Sequence, residues 1–126
     1  MWKPCVLLVE DNADLRQLYT FFLAGRGFEV RLAEDGEEAL AEIQKQRPDV
    51  LLTDIAMPQM DGVELIQRLR SDEEFASLPV VAMTAYGEGR LTEAWAAGAD
   101  ETIAKPMEAN DLLTALFKVM PKQQGN

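Results

Sequence analysis

Three short apolar runs, Cys5-Val6-Leu7-Leu8-Val9, Val50-Leu51-Leu52-Thr53 and Val80-Val81-Ala82-Met83, show no alternation of polar and apolar positions. Uninterrupted apolar character over so few residues predicts strands covered on both faces, as in a parallel sheet. Glu29-Val30-Arg31-Leu32-Ala33 alternates and predicts an edge strand; Glu101-Thr102-Ile103-Ala104 is a short candidate for the other edge. Helical spacing fills the gaps. Leu15, Leu18, Tyr19, Phe22 and Leu23 recur at i, i+3, i+4, i+7 and i+8, a stripe closed by Gly25 or Gly27. Ala39, Leu40 and Ile43 mark a second helix that Pro48 ends, and Leu65, Ile66 and Leu69 a third. Leu91, Ala94 and Trp95 mark a fourth, with Gly87 and Gly89 at its entrance. Leu112, Leu113, Leu116, Phe117 and Met120 make the fifth, terminated by Pro121.

Strands alternating with helices require right-handed crossovers and a parallel sheet with helices on both faces, an α/β architecture. The 126 residues are one domain's worth of chain, with no repeat or linker, and residues 121–126 read as a frayed polar tail. The start at Met1 and this tail favour a free-standing protein over an excised piece.

Composition narrows the chemistry. The 12 basic and 22 acidic residues leave a formal charge of −10, which argues against nucleic acid or an anionic membrane surface as a direct partner. With no histidine, a serine–histidine triad and histidine-ligated zinc are excluded, and the lone Cys5 forms neither an internal disulfide nor a zinc cluster. The run Cys5–Val9 is far too short for a signal-peptide core or a membrane span, so a cytoplasmic setting is expected. Chemistry must run on carboxylates, hydroxyls and lysines.

What ends each apolar strand is the informative feature. The first runs into Glu10-Asp11, the third into Asp54, the fourth into Thr84 and the fifth into Lys105-Pro106. Ligands of open α/β sheets bind at the carboxyl ends of the strands. Two carboxylates about 5 Å apart repel by roughly 3 kcal/mol at an effective dielectric of about 20. Three of them beside one lysine call for a cation, and an all-oxygen donor set favours a hard one, Mg²⁺ above all. Glu10, Asp11 and Asp54 are then balanced in charge by Lys105 and Mg²⁺. Asn12, Asp35 and Asp61 read instead as helix N-caps, the last two with Glu38 and Glu64 three residues on. Met57, Met60 and Met107 read as packing residues, and Trp95 as a core or partner-facing anchor.

Together these residues resemble the receiver domain of two-component response regulators. The carriers are Val9-Glu10-Asp11-Asn12, the run Leu51 to Gly62 with Asp54, Pro58 and Asp61-Gly62, then Met83-Thr84-Ala85 and Lys105-Pro106. Their spacings agree with that family: Asp54 lies 43 residues after Asp11, Thr84 30 after Asp54, and Lys105 21 after Thr84. The resemblance covers Cys5 to about Met120. It implies a flavodoxin-like, doubly wound five-stranded parallel sheet in the order 2-1-3-4-5 with five helices. It further implies that Asp54 accepts a phosphoryl group from a phosphohistidine of a sensor kinase or phosphotransfer protein. Glu10, Asp11, Asp54 and the backbone carbonyl of Ala56 would hold Mg²⁺, while Thr84 and Lys105 would contact phosphoryl oxygens. The Lys105–Pro106 peptide bond is often cis in such relatives. Switching of partner binding, or dimerisation, would use the face of the fourth helix, fifth strand and fifth helix.

One position departs from the pattern. Many receivers carry an aromatic residue three places before the strand-five lysine; here it is Thr102. The expectation is that Tyr86 and the glycine-containing loop to the fourth helix report the phosphorylated state instead. Two rival readings exist. A phosphohydrolase of the haloacid-dehalogenase type also uses aspartate, Mg²⁺, threonine and lysine, but it carries Asp-x-Asp after the first strand, where this chain has Asp11-Asn12-Ala13. A non-phosphorylated adaptor of the same fold would usually lack one of the acids or the lysine. A dinucleotide site is disfavoured because no Gly-x-Gly-x-x-Gly follows the first strand.

Overall fold

The computed structural model describes residues 2–85, 88–105 and 107–121. Strands and helices alternate throughout: β1 (Cys5–Val9), α1 (Ala13–Gly25), β2 (Glu29–Ala33), α2 (Gly36–Lys45), β3 (Val50–Asp54), α3 (Gly62–Arg70), β4 (Val80–Thr84), α4 (Glu88–Ala97), β5 (Glu101–Ala104) and α5 (Ala109–Val119). The strands form one parallel sheet in the order β2-β1-β3-β4-β5, the doubly wound order expected. The expected readout at Tyr86 and Gly87, the geometry at Pro106 and the fraying of residues 122–126 all fall outside the described residues.

The apolar runs are buried on both sides, which is why they do not alternate. Leu7, Val9, Leu51, Val80 and Ala82 point into one core with α2, α3 and α4 residues such as Ile43, Ile66 and Ala94. Val6, Leu8, Val50, Leu52, Val81 and Met83 point into the other, with Leu23, Leu112 and Leu116. Edge strand β2 is buried only at Ala33.

Two helical stripes are narrower than their spacing predicts. Leu18 is 57% exposed, and among the expected α1 positions only Leu23 is fully buried. A set spanning i to i+8 sweeps a wider arc than α1 turns to the sheet. Phe117 on α5 is also mostly exposed, although its ring lies 5.5 Å from that of Phe28. Trp95 is 48% exposed, so of its two readings the partner-facing one fits and the core one does not. Met60 is buried, and Met57 and Met107 pack at the edges of the two cores.

The N-caps are as read. The Asn12, Asp35 and Asp61 side chains accept from the backbone N–H groups of Leu15, Glu38 and Glu64 at 3.0, 2.8 and 2.9 Å. Glu38 also accepts the N–H of Glu34 at 2.6 Å, one residue before the Asp35 cap, so the return bond of a capping box falls just outside the cap itself.

Gly62 sets the position of α3. A Cβ there would strike the carbonyl oxygen of Asp54 and lie 2.8 Å from the Ile55 Cα. Without one, its N–H donates to the Ile55 carbonyl at 2.8 Å, seating α3 directly against the end of β3. At the other end of α3, Arg70 donates to the carbonyls of Gly98, Phe75 and Leu78 and to Asp100 Oδ2. The C-terminal end of α4 is thereby fixed to the base of the sheet.

Candidate functional site

Parallel register brings the strand-end residues together. Val9 pairs with Thr53, so Glu10 and Asp54, each one residue further on, are neighbours on adjacent strands. Thr84 pairs with Ala104, which places Lys105 just beyond it, with its N–H donating to the Thr84 carbonyl at 2.7 Å. Lys105 reaches back across the sheet end: its Nζ donates to Glu10 Oε1 at 2.9 Å and to Asp54 Oδ2 at 3.0 Å.

This is a charge cluster withdrawn from solvent. Glu10 is 1% exposed, and Asp54 and Thr84 are also buried. Burial pushes the Glu10 carboxyl above the ordinary carboxylate range, against the pull of its bond to Lys105. Burial likewise opposes the charge on Lys105, but the Glu10 and Asp54 carboxylates outweigh it and hold the ammonium above the usual lysine value. Asp11 is exposed and completes the group: Glu10, Asp11 and Asp54 each offer an oxygen within 4.8 Å of the others. An all-oxygen set this compact, with an open side, suits a hard divalent cation. Ala56 sits beside it, its N–H 3.3 Å from Asp54 Oδ1. All the site residues named from sequence therefore lie at one end of the sheet.

Asp11, Asp54, Ala56, Thr84 and Ala85 share the wall of an open cleft of about 560 Å³. Pro58 and Asp61 line it too, and Gln59, between them in sequence, adopts a left-handed backbone with φ 65°. Three neighbours of the site are not legible in the sequence. Tyr19 of α1 lies under the lysine, its ring centroid 5.9 Å from Nζ, within cation–π range. Arg16 Nη1 holds the Glu10 carbonyl at 2.8 Å. Arg90 of α4 lines the cleft and pairs with Asp61 Oδ2 at 2.9 Å. Tyr19 reads as one more apolar position of a helix, and nothing in the pattern singles out either arginine.

A doubly wound parallel sheet that gathers acids and one lysine at its carboxyl end defines the flavodoxin-like class and its switch-point site. Within that class the chain belongs to the response regulator receiver domain family, whose model matches residues 6–117; this is a phospho-acceptor signalling family of two-component systems. It is 36% identical over 123 residues to the response regulator Rre1 of Synechocystis sp., covering 96% of this chain and 53% of that protein. Among solved structures, the chemotaxis response regulator CheY4 of Vibrio cholerae superposes with a TM-score of 0.87 at 34% identity, covering 94% of this chain and 100% of that one. The receiver domain of the sensor histidine kinase PA1611 from Pseudomonas aeruginosa, solved with magnesium coordinated in its active-site cleft, gives 0.86 at 30% identity, covering 93% and 97%. The chain spans about half the length of several curated relatives it matches. Among the described residues no helix is long and apolar enough to cross a membrane.

Proposed function

We propose that Asp54 is the phospho-acceptor of this receiver, taking a phosphoryl group in the cytoplasm from the phosphohistidine of a sensor kinase or phosphotransfer protein. The observation that carries the reading is the convergence of three carboxylates within 4.8 Å, with one lysine bonded to two of them and Asp11 and Asp54 lining the cleft. An Asp54 carboxylate oxygen attacks phosphorus, the P–N bond to the donor imidazole breaks, and that imidazole keeps the electron pair. Such a transfer needs positioning and charge neutralisation rather than elaborate covalent chemistry. The acyl phosphate formed is a hydrolysable mixed anhydride, suited to a timed switch.

Glu10, Asp11, Asp54 and the carbonyl of Ala56 would hold Mg²⁺, which supplies positive charge to the transferring group. The magnesium in the cleft of the PA1611 receiver supports this assignment. Lys105, released in part from Asp54 when that side chain becomes an acyl phosphate, keeps its bond to Glu10 and pairs with a phosphoryl oxygen. Thr84 stands at the same rim and donates its hydroxyl to another. Ala85, small and on the cleft wall, leaves the approach open. The domain acts on its own aspartate and on no turnover substrate.

The changed site then alters partner affinity as a population shift. The output surface is the face of α4, β5 and α5, where Trp95 is exposed and a groove is lined by Thr102, Met107, Asp111 and Lys118. Incubation with acetyl phosphate and Mg²⁺ followed by intact mass tests the chemistry. The wild type should gain one phosphoryl group and Asp54→Ala none; equal gain by both proteins rejects the assignment, and turnover of many equivalents favours a hydrolase.

A further inference from the structure

Arg90 lies in the first turn of α4, at the cleft-side end of that helix and six residues after Thr84. Its Nη2 donates to Asp61 Oδ2 at 2.9 Å and its Nη1 lies 3.4 Å from Glu93 Oε1. Its Nε, by contrast, is buried with no hydrogen-bond partner, the only such side-chain nitrogen or oxygen among the described residues. Nε and Nη2 form one edge of the guanidinium fork, the edge that binds carboxylate or phosphate through two parallel bonds. Asp61 fills half of that edge, because its other oxygen is committed to the α3 N-cap. An unmade bond on a buried charged donor costs free energy, and the group lines the same cleft as Asp54.

We propose that Arg90 is a phosphoryl-recognition residue of the Asp54 site, an inference that rests on Asp54 being the phospho-acceptor. An acyl phosphate carries about two negative charges where the carboxylate carried one. Its oxygens offer the Nε–Nη2 edge the two acceptors that Asp61 does not. Arg90 exchanges Asp61 for the phosphoryl group; no covalent bond to it forms or breaks. Asp61 keeps its capping oxygen on α3 and gives up only the ion pair.

The exchange has a mechanical consequence. The far end of α4 is held at Gly98 by Arg70, whose carbon chain lies 2.8 Å from where a Cβ on Gly98 would be. Drawing Arg90 from Asp61 toward Asp54 therefore pulls the cleft-side end of α4 about the end that Arg70 holds. That coupling delivers the state of Asp54 to the Trp95-bearing helix without an aromatic residue at position 102.

Isothermal titration of beryllofluoride, a stable mimic of the phosphoryl group, in saturating Mg²⁺ tests the assignment on the full chain. Arg90→Ala should weaken beryllofluoride binding about tenfold, as expected for loss of a charge-assisted pair. Its Mg²⁺ affinity, titrated separately, should match the wild type. Arg90→Lys, which keeps the charge but not the fork, should recover part of the loss and also serves if the alanine variant folds poorly. Asp61→Asn, which keeps the cap and loosens the ion pair, should bind the mimic more tightly than wild type. Beryllofluoride binding by Arg90→Ala within about twofold of wild type, or an equal loss of Mg²⁺ affinity, overturns the proposal. If the wild type itself takes up no beryllofluoride, the Asp54 assignment falls first and this inference with it.

Discussion

Lys105 places its ammonium 3.0 Å from the Asp54 carboxylate, across 51 residues of sequence, and shares it with Glu10 at 2.9 Å. All three side chains are nine-tenths or more buried. Removing the cation therefore leaves two desolvated carboxylates facing each other. Lys105→Met should cost about 3 kcal/mol in metal-free buffer at neutral pH, the usual penalty for breaking a buried ion pair. Adding Glu10→Gln should restore part of it. Urea midpoints read the effect, and a midpoint equal to wild type would contradict the electrostatic account.

The same crowding predicts a stabilising response to metal. Mg²⁺ that binds only the folded protein raises stability by about 2.7 kcal/mol at a hundred times its dissociation constant. Asp11→Asn removes the exposed member of the carboxylate trio without disturbing the core. Thermal melts with and without Mg²⁺ should show a rise for wild type and a much smaller one for Asp11→Asn.

Two glycines should respond oppositely to alanine. At Gly62 the added methyl meets backbone of Asp54 and Ile55, which cannot move without shifting the phospho-acceptor. Gly62→Ala should lose roughly 1–3 kcal/mol, the cost of overpacking. Gly25 closes α1 with nothing within 4 Å of where a methyl would stand, so Gly25→Ala should gain up to about 1 kcal/mol. Paired denaturation curves check both signs at once.

Asp61 links pH to stability. Burial alone would raise its pKa, but the α3 N–H groups and Arg90 outweigh that and hold it below the ordinary aspartate value. A lowered folded-state pKa means the contribution is present above the unfolded value of about 3.9 and is lost as pH falls through the folded one. Asp61→Ala should cost about 1–2 kcal/mol at pH near 7, mostly the cap, since the partly exposed ion pair adds little. The gap between the two proteins should narrow below pH about 4; an undiminished gap there would refute the linkage.

Arg70 should matter more than a surface arginine. Its guanidinium satisfies the carbonyls of Phe75, Leu78 and Gly98 and one oxygen of Asp100, whose Oδ2 also accepts the Val80 N–H at 2.8 Å. Arg70→Ala should cost about 2–4 kcal/mol by leaving several of these unpaired. Amide exchange at Gly98–Asp100 should speed up with it, while an unchanged exchange pattern would mean α4 is held by packing alone.

How far the chain could be read depended on how local each cause is. The buried strands declared themselves because a strand covered on both faces has no polar positions to alternate. Asn12, Asp35 and Asp61 declared themselves because a cap bonds an amide only three residues away. Leu18 and Phe117 misled, because periodicity marks a face of a helix but not how much of that face the sheet covers. Arg70 and Arg90 gave no signal, because the partners that tie each to another element, Gly98 and Asp100 for one and Asp61 for the other, lie 28 to 30 residues off in sequence.

By itself the amino-acid sequence determined the order of strands and helices, the resemblance to a known family and the five polar residues at the strand ends. Those follow from hydrophobic patterning and from spacing along one chain. Only the folded sheet decided that Glu10 and Asp54 stand side by side, that Lys105 bridges them, and that Arg90 lines the same cleft with its Nε unpartnered. Register between parallel strands and the packing of α4 set those distances, and both are long-range properties that a linear pattern does not carry.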